Sequence, residues 1–176
     1  MRRQAKAVNF GIVYGISAFS LSQDIGSTVA EAKAYMDAYF ETFPGVRKYM
    51  DAVVEKAKQD GFVETLFHRR RDLPELTSSN HNLRAFGERV ALNMPIQGTA
   101  ADIIKIAMVR VSEALEKAGL KTKLILQVHD ELLVETAVRE KAQVERILSE
   151  EMSRAAALKV PLEIDMHDGK NWFEAK

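Results

Sequence analysis

Hydrophobic periodicity shifts after about Lys117 of these 176 residues, and that shift constrains the fold more than any other feature. Up to about Lys117 the apolar side chains recur mostly at helical spacing, with one short strand pattern near Gly61. Beyond it, Leu124-Ile-Leu-Gln-Val and Leu132-Leu-Val-Glu read as two strands with only His129-Asp130-Glu131 between them. Helices followed by a small antiparallel sheet with covering helices make an α+β arrangement.

Punctuation places the elements. The first helix runs from Arg2 to about Val13 and ends near Gly15. Ser27 and Thr28 offer N-cap oxygens and Glu31 stands where a capping-box partner of Thr28 belongs, so a helix spans Val29 to Phe43. Pro44 ends it, and another runs to Asp60 before Gly61. Gly61 to Phe67 reads as a strand, the basic run His68-Arg-Arg-Arg71 follows, and Leu73-Pro-Glu-Leu is read as the returning arm of the hairpin. Leu83 to about Lys117 is helical, with a break or kink expected near Met94, because a residue before proline is pushed out of the helical region. After the second strand pair come a helix from Lys141 to Leu158, a strand from Leu162 to His167, and a turn at Asp168-Gly169 leading to Trp172.

Charge and cysteine content exclude more than they propose. The 25 basic and 25 acidic residues cancel, so attraction to a polyanion has to come from local placement of charge. With no cysteine, neither a disulfide framework nor a thiolate metal site exists. No apolar run has membrane-spanning length and the first residues have no secretion-signal pattern, so the expectation is a soluble cytoplasmic protein with no membrane partner.

On the first helix Arg2, Lys6, Phe10 and Tyr14 stand four residues apart, a stripe of two cations, a ring and a phenol. Two cations a turn apart can grip a polyphosphate, and a flat ring beyond them can meet a base or sugar. Arg3 fits the stripe as well as Arg2, and an ordinary amphipathic helix with basic edges accounts for the same spacing. Gly11 and Gly15 allow either close approach of a base or template strand, or a helix packing contact and a C-cap. Adjacent carboxylates at Asp130 and Glu131 repel unless a cation relieves them, and oxygen ligands suit Mg²⁺; a solvated turn is the plainer reading. His129 beside them is either a donor to a nucleic-acid phosphate or a surface imidazole. Arg89, Asn93 and Gln97 form a row of donors suited to the minor groove, or simply surface polars. His68 to Arg71, with Arg84, can bind a phosphate backbone or be solvated.

Taken together these segments resemble the family A DNA polymerases of the bacterial DNA polymerase I type. Arg2-Arg-Gln-Ala-Lys6-Ala-Val-Asn-Phe10-Gly-Ile-Val-Tyr14-Gly15 resembles their nucleotide-binding motif, Gln127-Val-His-Asp130-Glu131 their second carboxylate motif, and Asn93-Met-Pro-Ile-Gln97-Gly-Thr-Ala-Ala-Asp102-Ile a further family pattern. The order and separation are family-like. The resemblance implies a helical fingers segment, residues 1–79, followed by the C-terminal part of an antiparallel-sheet palm, residues 80–176. It implies a DNA-directed DNA polymerase in DNA replication and repair, cytoplasmic and nucleoid-associated in a bacterium.

By the same resemblance, Arg2 and Lys6 hold the phosphates of a deoxynucleoside triphosphate, Phe10 packs near its sugar and Tyr14 guards the templating base. Asp130 is a metal ligand, Glu131 an accessory acid and ligand, and His129 lies near the primer terminus. Arg89, Asn93 and Gln97 touch the minor groove of primer-template DNA. The implied cofactor is a pair of Mg²⁺ ions whose second ligand set is missing from this chain, because the family's first carboxylate motif lies upstream of the nucleotide helix. A truncated frame, an excised fragment or a split enzyme is therefore expected, with the missing N-terminal part as a partner and the isolated chain inactive and poorly ordered. A single-subunit RNA polymerase and a non-catalytic nucleic-acid-binding remnant are the competing readings.

Overall fold

The computed structural model describes residues 2–175, and of Arg3 and Gln4 the backbone alone. The chain divides between Thr99 and Ala100 into two compact units.

In the first unit, α1 (Arg2–Val13) closes at Gly15, whose φ of 73° is the left-handed conformation that a C-cap requires. A helix not anticipated from the sequence follows, α2 (Ala18–Ile25); the Ser17 hydroxyl accepts from the Ser20 N–H at 3.1 Å and left-handed Gly26 ends it. Helix α3 (Val29–Thr42) carries the expected reciprocal cap. The Glu31 carboxylate accepts from the Thr28 N–H at 2.9 Å while the Thr28 hydroxyl accepts from the Glu31 N–H at 3.2 Å. These bonds, the Thr28 backbone donor foremost, hold the Glu31 carboxyl below its ordinary range. Helix α4 (Pro44–Asp60) starts on Pro44 and stops at left-handed Gly61, as read.

The hairpin that follows differs from expectation. Strand β1 (Phe62–Glu64) pairs antiparallel with β2 (Arg70–Asp72), so the basic run itself is the returning arm. Leu73-Pro-Glu-Leu cannot extend the ladder, since Pro74 has no N–H to give; a 3₁₀ turn, Pro74–Thr77, forms instead and Leu73 and Leu76 enter the core. Stacking makes a basic strand tolerable, because the Arg70 guanidinium lies 3.8 Å from the Phe62 ring centroid and bonds Asp72 at 2.7 Å. Helix α5 (His81–Lys117) begins where the Asn80 side chain accepts from the Asn82 N–H at 2.9 Å. It continues through Pro95 without the expected break. Core packing outweighs the local cost, since Ala91, one turn earlier, is fully buried in a cluster of Ala57, Val63, Leu73 and Leu76 with Val90 and Met94 against it.

In the second unit, the end of α5 packs beside strands β3 (Lys123–Val128) and β4 (Glu131–Glu135) and helix α6 (Lys141–Ser153). Val111, Leu115 and Val144 are its buried centre, with Leu132, Val134, Ile147, Leu148 and Met152 around them. The β3–β4 pair is antiparallel from Lys123↔Glu135 to Val128↔Glu131, with a bulge at Ile125. Glu131 therefore belongs to the ladder, and the turn is His129-Asp130 alone. Helix α6 ends at Ser153 rather than Leu158: the chain turns to bury Ala155, and the Arg110 guanidinium bonds the freed Arg154 carbonyl. Leu162 to His167 is not a strand, because its alternating pattern finds no ladder partner among the described residues. No helix of the described residues is long and apolar enough to cross a membrane.

Buried Glu140 ties the second unit together. Its Oε2 accepts from the Lys121 N–H at 3.0 Å, the Thr122 N–H at 3.1 Å and the Thr122 hydroxyl at 3.0 Å, joining the entry of β3 to the entry of α6. Burial pushes this carboxyl up, but the Thr122 donors, the Lys121 N–H and the nearby Arg139 outweigh it and leave it below its ordinary range. A lowered folded-state pKa means stability that is full above the ordinary carboxylate pKa and lost as pH falls towards the folded value. Glu140→Gln should lower the thermal midpoint at pH 7, and the gap between variant and parent should close below about pH 4. Thermal melts across pH check this; a gap that stays constant with pH contradicts it.

Candidate functional site

Helix α1 presents its stripe to solvent. Phe10 is 53% exposed and Tyr14 36%, with ring centroids 6.3 Å apart and planes inclined by 34°. The Lys6 ammonium stands 5.7 Å from the Phe10 centroid. Among the described residues neither Arg2 nor Lys6 has an ion-pair partner, although short pairs such as Lys33–Asp37 hold cations elsewhere. Unpaired cations beside exposed rings, on a face without acids, are available to an anionic ligand that carries a flat group. The side chain of Arg3, the alternative first cation, lies outside the described residues.

The two glycines of this helix serve packing. A Cβ on Gly11 would sit 3.0 Å from Ile16 Cγ2, and one on Gly15 would sit 3.0 Å from Leu92 Cδ1 and 3.6 Å from Arg89 Cγ. Gly15 thus brings the Tyr14 end of the stripe against the helix that bears the donor row. Within that row Arg89 and Gln97 are exposed, while Asn93 is half-buried with its Oδ1 buried and unbonded. Sequence spacing had kept the stripe and the row apart; their meeting at Gly15 has no signal in the sequence beyond the glycine itself. An apolar recess of about 320 Å³ lined by Val13, Val46, Tyr49, Met50, Leu92 and Ile96 lies between α1, α4 and α5, and no polar groups converge on it.

The hairpin tip belongs to the second unit. His129 takes φ 51°, uncommon for a residue with a side chain, and the Gln127 Nε2 donates to its carbonyl at 2.7 Å. Asp130 and Glu131 are exposed and have no cationic partner among the described residues. Adjacent free carboxylates, one on the turn and one opening β4, are a donor set that suits a hard divalent ion, which takes one or two carboxylates and completes its shell with water and phosphate. The described residues gather no group of three or more acidic, histidine or cysteine side chains, so a two-ion site needs ligands beyond them. Arg84 is not available as a phosphate ligand in the way the sequence suggested: its Nη1 donates to the Ser78 and Ser79 carbonyls at 2.7 and 2.9 Å. His68 faces Glu64 at 3.3 Å.

The sequence model of DNA polymerase family A matches residues 1–174. The chain belongs to that family. It is 53% identical over 99% of its length to DNA polymerase I of Streptococcus pneumoniae, and 55% identical over its whole length to that of Bacillus subtilis. In both cases it spans 20% of the relative. Among solved structures it resembles the POL domain of Pol1 from M. smegmatis, in complex with DNA primer-template and dNTP, with a TM-score of 0.95 and 48% identity, covering 99% of this chain and 31% of the other. The mixed helical and antiparallel architecture is thus that of part of a family A polymerase domain.

Because Gly15 is left-handed and already in contact with Leu92, any side chain there meets both strain and a neighbour. Gly15→Ala should destabilise the fold by about 1–2 kcal/mol. A denaturant titration reads this as a lower midpoint with an unchanged slope; a midpoint equal to the parent's would mean that the cap is not left-handed in solution.

Proposed function

We propose that this chain is the C-terminal portion of the polymerase domain of a DNA polymerase I-like enzyme, which transfers deoxynucleotidyl groups from deoxynucleoside triphosphates to a primer 3′-hydroxyl. The observation that carries the reading is the α1 stripe: in a chain of this family, its two cations and two rings stay exposed and unneutralised along one helix. Membership of the family and the likeness to a polymerase bound to primer-template and dNTP support it. Residues 1–79 are then part of the fingers, and residues 80–176 the C-terminal part of the palm.

Arg2 and Lys6 grip the triphosphate and neutralise the departing pyrophosphate, arginine through its fork and lysine as a compact charge. Phe10 packs on the sugar. Tyr14, beside it, closes off the position of the templating base, so that a correctly shaped pair is needed to fill the site. Arg89, Asn93 and Gln97 donate to minor-groove acceptors that every base pair offers, Asn93 through its Nδ2, since its buried Oδ1 can only accept. His129, fixed by its turn, bonds near the primer terminus. Asp130 and Glu131 would hold divalent metal, two Mg²⁺ ions together with ligands beyond the described residues. Bound there, the ions would supply charge stabilisation at the attacking and leaving oxygens. Because that ligand set is shared, residues 1–176 alone are not expected to extend a primer.

The measurement is made in a complete family A polymerase that carries this chain. Asp130→Asn should lower turnover by orders of magnitude while leaving primer-template affinity largely intact, since it removes charge at the reacting centre and not along the duplex. Near-normal extension by this variant in Mg²⁺ would remove Asp130 from the metal site.

Lys6→Ala tests the stripe separately. Losing one charge-assisted contact worth about 1.5–3 kcal/mol should raise the Michaelis constant for nucleotide roughly ten- to hundredfold. If steady-state kinetics show kcat and KM both unchanged, α1 is an amphipathic helix with solvated edges and no nucleotide grip.

A further inference from the structure

The β1–β2 hairpin plays no part in the chemistry proposed above, yet its tip is hydrogen-bonded to α5. Thr65 is buried at the tip, where its hydroxyl accepts from the Phe67 N–H at 3.2 Å and the Arg69 N–H at 3.1 Å. The next amide, Leu66 N–H, donates to Thr99 Oγ1 at 2.9 Å, across 33 residues of chain. The Thr99 hydroxyl in turn donates to the Pro95 carbonyl. Beside it, a Cβ on Gly98 would lie 2.7 Å from Thr65 Cγ2, so the tip rests directly on the helix backbone. Further along, Val63 of β1 shares a core cluster with Val90, Ala91 and Met94 of α5. The hairpin therefore lies alongside the stretch that carries Arg89, Asn93 and Gln97, and leaves Arg89 and Gln97 exposed.

Across the ladder from Val63 stands Arg71, exposed and without an ion pair among the described residues, unlike Arg70, which is stacked on Phe62 and bonded to Asp72. A hydroxyl bonding back to the helix carbonyl four residues earlier accounts for one of the Thr99 bonds locally. Its second bond, to a distant loop amide, is not needed by the helix.

We propose that Thr99 is a positioning residue: with Gly98 it holds the basic hairpin in fixed register with the donor row, so that Arg71 meets a phosphate of the primer-template duplex while the row occupies its minor groove. This rests on the reading of Arg89, Asn93 and Gln97 given above. Phosphate contacts set the placement of a protein on a duplex and base-edge contacts require that placement to be right, so two sets of donors on separate elements work together only if those elements are fixed to each other.

The test uses a complete family A polymerase carrying this chain and measures primer-template affinity across salt concentrations, together with turnover and the nucleotide Michaelis constant at saturating DNA. Thr99→Val keeps the shape and removes the hydroxyl. It should weaken DNA binding roughly fivefold, the equivalent of one lost contact, and reduce the salt slope by about one unit. Thr99→Ser should restore both. Gly98→Ala, which pushes the tip away sterically, should reproduce the Thr99→Val defect. Arg71→Ala examines the phosphate contact directly and should lower the slope by the same amount, with no additional loss when combined with Thr99→Val. An unchanged slope in Thr99→Val overturns the proposal, whether or not the melting temperature falls. So does a loss of turnover in step with affinity, or a Ser variant as poor as Val. If Arg71→Ala alone leaves the slope unchanged, the hairpin touches no phosphate and the proposal fails there, while the Asp130 and Lys6 results still decide the polymerase reading on their own.

Discussion

Proline inside a helix removes one N–H donor and drives its ring towards the carbonyl four residues earlier, a cost of about 3 kcal/mol that ordinarily ends or kinks the element. Helix α5 carries that cost at Pro95 and runs from His81 to Lys117 regardless. What holds it is the environment of the affected turn: Ala91, which loses the bond, is buried among Ala57, Val63, Leu73 and Leu76. Much else depends on the helix staying whole. The donor row and the seat for the basic hairpin both lie on the turns around Pro95, and the same helix goes on to supply Val111 and Leu115 to the core of the second unit.

This dependence explains which parts of the fold were legible in the sequence. Helices α3 and α4 were readable to within a residue, because their ends are fixed by side chains that act locally: Thr28 with Glu31, Pro44 in a first turn, Gly61 in a left-handed cap. Where the deciding interaction is remote, local signals misled. Pro95 looked like a break because nothing nearby in sequence announces the packing around Ala91. The returning arm of the hairpin lies one segment earlier than the sequence pattern suggests, since an apolar Leu73-Pro-Glu-Leu looks more strand-like than a run of arginines until Phe62 is seen to cover Arg70. Leu162 to His167 has the alternation of a strand without a neighbour to pair with, and no pattern within a segment reports on its neighbours.

The candidate site divides in the same way. Four residues at a spacing of four made the α1 stripe visible, and the carboxylates at the tip were visible as a pair. That the stripe remains unneutralised, and that Gly15 sets its far end against Arg89, are facts about contacts between elements. So is the membership of Glu131 in the ladder, which fixes its backbone and leaves the turn to His129 and Asp130. Arg84 shows the opposite case, a cation that reads as a ligand in one dimension and is occupied with two loop carbonyls in three.

Position 129 sets backbone economy against side-chain identity. A two-residue connection between antiparallel strands is most cheaply made by asparagine or glycine, whose backbones enter the left-handed region with little strain. Histidine at φ 51° is a poorer choice, and the Gln127 amide is spent in bracing it. Variation guided by thermostability alone would therefore drift towards glycine or asparagine here and lose the imidazole beside the carboxylates. Under the proposed function the histidine should outlast such drift, and its replacement by glycine or asparagine would mark relaxed demand on the tip rather than improvement of the fold.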